Sequence, residues 1–99
     1  MSPVEELINA LVEPSQADYA RQTLLQLGRD ALESLLRALP GADTKLAWEI
    51  INLLAKFRDP RAVPSVAEYL RAENGALRVA AAQTLGRIGH RSATTPLLR

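Results

Sequence analysis

At 99 residues the chain has room for one domain, and without Cys it has no disulfide framework, no thiolate nucleophile and no sulfur-based zinc site. Sixteen Ala and seventeen Leu, against five Val, four Ile, five Thr and four aromatics, favour helix over sheet. A net charge of +1 is far from the basic balance of a protein that lives on phosphate backbones.

Ser2-Pro3 followed by Glu5 supplies an N-cap, a proline at the first helical position and a capping-box partner, predicting a first helix over about 3–12. Its apolar stripe is Val4, Leu7, Ile8 and Leu11. Pro14 and Ser15 open a second helix, which Gly28 closes in a left-handed conformation. Asp30 caps a third, with the stripe Leu32, Leu35, Leu36 and Leu39, stopped by Pro40-Gly41. Asp43 caps a fourth, Asp59-Pro60 leads into a fifth, and Asn74 caps a sixth that ends at Gly89. Pro64 would remove a ladder bond near the start of the fifth helix, so its first regular turn is expected nearer 61–63. Its stripe is Val63, Val66, Ala67 and Leu70. A further helix begins with Thr94, Leu97 and Leu98 and stops after about one turn.

These stripes recur at steps of 28, 31 and 31 residues, from Val4 to Leu32, Val63 and Thr94. Between them a second segment recurs as Thr23 to Gly28, Leu53 to Arg58 and Thr84 to Gly89. Two amphipathic helices in each period of about 30 residues describe antiparallel helix pairs stacked in series. The repeats are expected at about 1–28, 29–58 and 59–89, with a partial unit at 90–99, in one domain spanning 1–99. Charge is graded along the stack. Residues 1–50 carry four Lys/Arg and eight Asp/Glu, whereas residues 51–99 carry eight and three. A basic half of this kind attracts acidic surfaces, and a dipolar monomer can stack head to tail. Charges or Pro interrupt every Leu-rich run, so neither a signal peptide nor a membrane span is expected, and cytoplasm is the default compartment.

Asp59-Pro60-Arg61-Ala62-Val63-Pro64, followed by Ala76 to Gly89, closely resembles HEAT-like repeats. The subtype is similar to that of phycobilin lyase subunits. The pattern is fullest over 59–96, fair over 43–58 and reduced to hydrophobic spacing over 1–42. The resemblance implies an all-α, right-handed superhelix of about three helix pairs plus a partial seventh helix, whose second helices line a concave partner surface. Within it the Ala run and Gly86 are expected to let neighbouring helices approach closely. It also implies two more specific functions: an accessory or chaperone-like module in phycobilisome assembly or turnover, with a phycobiliprotein as partner, and nucleic-acid binding of the kind seen in HEAT-like DNA glycosylases. The related deoxyhypusine hydroxylases carry His-Glu dipeptides for a di-iron centre. Here the one His is followed by Arg91, so no such iron site is expected.

No catalytic constellation emerges. His90 is expected in a turn, without a second His, a Cys or an orienting carboxylate. Glu5 and Glu6 are consecutive on a helix and point about 100° apart, so they complement the helix N-terminus instead of sharing a proton. No cofactor or metal is expected. Trp48 aligns with Asp18 and Val79 of the neighbouring repeats. A large aromatic in a chain with four is expected to fill core between repeats; exposed, it would be the anchor of a binding surface.

The strongest candidate for binding is a ladder on the second helices. Off the apolar stripe lie Tyr19, Gln22 and Gln26, then Glu49, Asn52 and Lys56, then Ala80, Gln83 and Arg87, each set spaced i, i+3, i+7 on one helix face. The same polarity fits a solvated face, and both readings put it outside. At the chain end Leu97 and Leu98 lack a covering second helix, which suits a truncated relative or a weak homodimer contact. The expected function is non-enzymatic protein binding through the ladder.

Overall fold

The computed structural model describes residues 3–92 and the side chains of 3–89. Six helices follow one another with no strand among the described residues: α1 (Pro3–Ala10), α2 (Ala17–Leu27), α3 (Arg29–Ala38), α4 (Thr44–Phe57), α5 (Val63–Ala67) and α6 (Gly75–Ser92). Helices α1 and α2 pack as a pair, as do α3 with α4 and α5 with α6, and α4 packs most extensively on α6. The result is an all-α solenoid in which α2, α4 and α6 form one row and α1, α3 and α5 the other.

Turn chemistry sets the helix bounds. Helix α1 stops at Ala10, short of the expected 12, and unwinds through tighter bonds from Leu11 N–H to Ile8 O (3.1 Å) and from Glu13 N–H to Ala10 O (3.0 Å). Pro14 has no N–H to continue the ladder. Residues 14–16 form a turn, so α2 starts at Ala17, later than Pro14 and Ser15 suggested. A single residue then joins α2 to α3. Gly28 takes φ 67° and ψ −129°, outside the left-handed helical well but on the positive side that glycine alone tolerates well. The third helix consequently begins at Arg29, and Asp30 lies in its first turn instead of capping it.

Ser2, the expected cap of α1, lies outside the described residues, and the caps at Asp43 and Asn74 are as expected. Asp43 accepts from Leu46 N–H at 2.9 Å, and Asn74 Oδ1 accepts from Ala76 and Leu77 N–H at 2.8 and 3.2 Å. Asp59 accepts from Arg61 N–H at 2.9 Å, which turns the chain through the 3-10 turn Pro60–Ala62 into α5. Arg58, the residue aligned with Gly28, closes α4 in the left-handed region at φ 53°, ψ 34°.

Helix α5 differs from its expected stripe. It gives way after Ala67 to a 3-10 segment, Glu68–Arg71. Residues i and i+3 eclipse in a 3-10 helix, so the row of Val66 passes to Tyr69, and Leu70 is left 43% exposed. Tyr69 is half-buried, and its hydroxyl donates to Leu39 O at 2.9 Å, joining the segment after α5 to the end of α3. Burial, with a smaller contribution from Glu68, pushes this hydroxyl above its ordinary pKa.

Helix α6 does not end at Gly89 but runs on to Ser92, so the backbone of His90 is helical instead of turned. Gly86 is exposed, and a Cβ built there would meet nothing within 4 Å, so no close helix approach depends on it. Ala80 and Ala81 do pack closely, at 2% and 0% exposure. The core runs from Ile8 and Leu11 through Leu24, Leu35, Ile50 and Leu54 to Ala81 and Ile88, a continuous band between the two rows. The side chain of His90, Leu97, Leu98 and the partial seventh helix lie outside the described residues.

Candidate interaction face

Helices α4 and α6 form a groove of about 320 Å³ lined by Trp48, Asn52, Gly75, Ala76, Val79, Ala80 and Gln83. Trp48 and Val79 are 31 residues apart, and so are Asn52 and Gln83. A constant offset along both helices means that they run parallel, since an antiparallel pair would keep a constant sum. One turn further on, the same offset sets Lys56 beside Arg87, both exposed. The stripe on each helix is therefore i, i+4, i+8: Trp48, Asn52, Lys56 on α4 and Val79, Gln83, Arg87 on α6.

Trp48 is 42% exposed and Val79 56%, so the tryptophan sits at the groove and not in the core between repeats. The aligned position in the first repeat, Asp18, forms an ion pair with Arg21. Asn52 donates through Nδ2 to its own helix at Trp48 O, 2.8 Å away, which fixes the amide beside the indole.

The expected ladder divides. Its columns Gln22, Asn52, Gln83 and Gln26, Lys56, Arg87 lie at the surface, with Asn52 half-buried and the rest exposed. The column Tyr19, Glu49, Ala80 does not form one surface. Tyr19 is 69% exposed and lines a separate groove with Glu6 and Leu7 of α1. Ala80 is buried against α4. Glu49, with a side chain 16% exposed, accepts from Arg21 Nη1 at 3.3 Å and so joins α2 to α4. Sequence reasoning missed Arg21 as the partner of Glu49, and it missed Trp48 and Val79 as a surface pair. The signal was present in the i, i+4, i+8 spacing of Trp48, Asn52 and Lys56.

Electrostatics grade along the face. At its α2–α4 side the Arg21 guanidinium lies between the carboxylates of Asp18 and Glu49. Further along α4 and α6 the described charges are cationic. Lys56, Arg58 and Arg87 have no ion-pair partner among the described residues. Arg61, by contrast, is neutralised by Asp59 at 2.9 Å, and this pairing holds the Asp59 carboxyl below the usual carboxylate range.

A larger groove of about 640 Å³ lies between α1, α3 and the start of α4, lined by Glu5, Asn9, Ser34 and Arg37 among others. It mixes both charge signs and gathers no single chemistry. Among the described residues no group of three or more His, Asp or Glu could hold a metal ion, and no helix is long and apolar enough to cross a membrane.

Stacked helix pairs with a buried seam and an exposed second-helix row define a helical-repeat protein. The model of HEAT repeats matches residues 29–99, and the chain belongs to that family. The match starts at α3, and the first repeat contributes the same packing through hydrophobic spacing alone. A search of curated proteins finds no match to the chain.

Proposed function

We propose that the chain is a non-enzymatic protein-interaction module of the cytoplasm that binds through the exposed row of α2, α4 and α6. One observation carries this reading: the single tryptophan stands 42% exposed in a groove, across from Val79 and one turn before the amides Asn52 and Gln83. An exposed aromatic in a concave apolar site is the usual anchor of a protein interface. HEAT repeats commonly serve as interaction scaffolds, which agrees with it.

The test is affinity capture from the source cell with wild type and with a variant carrying Gln22→Ala, Asn52→Ala, Lys56→Glu and Arg87→Glu, both checked for helicity. A protein held by wild type and lost by the folded variant supports the reading. Identical capture by both overturns it. Chromophore handling of the phycobilin lyase kind is a narrower version; it rests on the Asp59–Pro64 and Ala76–Gly89 motif, whose Ala62, Leu77, Ala81 and Ile88 are core residues. Unchanged absorbance of phycocyanobilin and an apo-phycobiliprotein on mixing with the chain would remove it.

A further inference from the structure

Deepening the protein-binding reading on which it rests, we infer that the α4–α6 groove seats an extended acidic segment of a partner protein. An apolar side chain of that segment lies against Trp48 and Val79, and a carboxylate three or four residues away meets Lys56 and Arg87.

Three features of the groove specify this occupant. Its N-terminal end is apolar and lined partly by small residues, with Trp48 and Val79 beside Ala76 and Gly75. Its middle carries two amides, Asn52 and Gln83, which suit the peptide groups of an extended chain better than a hydrocarbon surface. One turn beyond this lining, the same 31-residue offset carries the two exposed cations Lys56 and Arg87, which have no carboxylate partners among the described residues. Adjacent like charges repel, and an incoming carboxylate relieves that repulsion while forming charge-assisted hydrogen bonds.

The spacing follows from helix geometry. Trp48 to Lys56 and Val79 to Arg87 are each eight residues, a rise of about 12 Å along the helix. An extended peptide advances about 3.3 Å per residue, so three or four residues separate its apolar and acidic contacts. A nucleic acid fits less well. Arg21, Arg61 and Arg78 are engaged by Asp18 and Glu49, by Asp59, and by the carbonyls of Ala72 and Glu73 respectively, which leaves a short cationic site next to an apolar one.

Panning a library of random peptides of about twelve residues on the full chain tests the inference, since such peptides span the groove at about 3.3 Å per residue. Enriched peptides should carry an aliphatic or aromatic residue with Asp or Glu three or four positions away. Because Trp48 is the one tryptophan, synthetic copies should shift the protein's tryptophan emission on binding. Ala76→Phe, which fills the apolar end at an exposed position, should weaken them roughly tenfold or more. Lys56→Glu combined with Arg87→Glu should turn the selection toward Lys and Arg.

Enrichment without acidic residues, or binding indifferent to Ala76→Phe and to the charge reversal, overturns the inference. So does failure to enrich any peptide, or displacement of bound peptide by a single-stranded oligonucleotide. Non-acidic peptides that are nevertheless lost on Trp48→Ala would refute the acidic occupant while leaving the protein-binding reading intact.

Discussion

Thr84 Oγ1 donates to Ile51 O at 3.1 Å, across the contact between α6 and α4 and with the threonine 1% exposed. The carbonyl lies inside α4, where its helical bond already satisfies it, so the hydroxyl adds a second bond and fixes the axial register of the two helices. That register places Trp48 opposite Val79. Thr84→Val keeps the volume and removes the donor. It should lower stability by less than about 1 kcal/mol, because the carbonyl keeps its partner and the new methyl is buried. Thr84→Ala should lose more, about 1–2 kcal/mol, by adding a void. Chemical denaturation of the three proteins checks the order; a Val variant weaker than the Ala variant would mean the hydroxyl does more than set register.

Gly28 and Arg58 occupy equivalent ends of α2 and α4, and both take positive φ, at 67° and 53°. Glycine suits this backbone region and arginine is strained in it, so substitutions at the two positions should act in opposite directions. Gly28→Ala should lose about 1–3 kcal/mol through backbone strain alone, since no atom lies within 4 Å of the added Cβ. Arg58→Gly should gain up to about 1 kcal/mol, because relief of the left-handed strain outweighs the flexibility given to the unfolded chain. Melting temperatures moving in opposite directions are the expected result.

Gly86 is an exposed glycine inside an eighteen-residue helix, with open space where a Cβ would go. Gly86→Ala should stabilise the chain by about 0.5–1 kcal/mol. A loss would show that a neighbour approaches that position after all.

Part of the punctuation was legible because it depends on local chemistry, although Gly28, Asp30 and Gly89 did not act as expected. Asp43, Asn74 and Asp59 act through backbone N–H groups two or three residues away, and the Pro60–Pro64 spacing disrupts its own helix. Departures arose where tertiary packing or a change of helix type decided the outcome. Leu70 fits an α-helical stripe, yet the 3-10 segment turns Tyr69 inward. Glu49 belongs to a polar face by spacing, yet Arg21 twenty-eight residues earlier claims it. Trp48 looks like core by size, yet its i, i+4, i+8 spacing with Asn52 and Lys56 puts it on the exposed stripe of α4, and the parallel packing of α6 completes the groove.

The Tyr69 hydroxyl gives the fold an alkaline limit. In the unfolded chain it ionises at its ordinary value of 10.0, and burial raises this value in the folded state. The hydroxyl's contribution is therefore complete below about pH 10 and is lost as pH rises through the folded pKa, since the unfolded state releases the proton first. Tyr69→Phe removes the bond to Leu39 O and should cost about 1 kcal/mol at neutral pH. The gap between wild type and variant should narrow above pH 10, as measured by denaturant midpoints across the range. A gap that widens there would reverse the sign of the assignment.

Trp48 should matter little to folding and much to binding, and the two can be separated. On another face of the same helix, Leu54 is fully buried at 0% exposure, so Leu54→Ala should lose about 2–5 kcal/mol. Trp48 leaves 42% of its surface in water, so Trp48→Ala should lose under about 2 kcal/mol. Acrylamide should quench the emission of the native chain, since the indole is accessible from the groove. Were quenching absent and Trp48→Ala as destabilising as Leu54→Ala, the tryptophan would be a packing residue, and the groove would lose the anchor on which its proposed occupant depends.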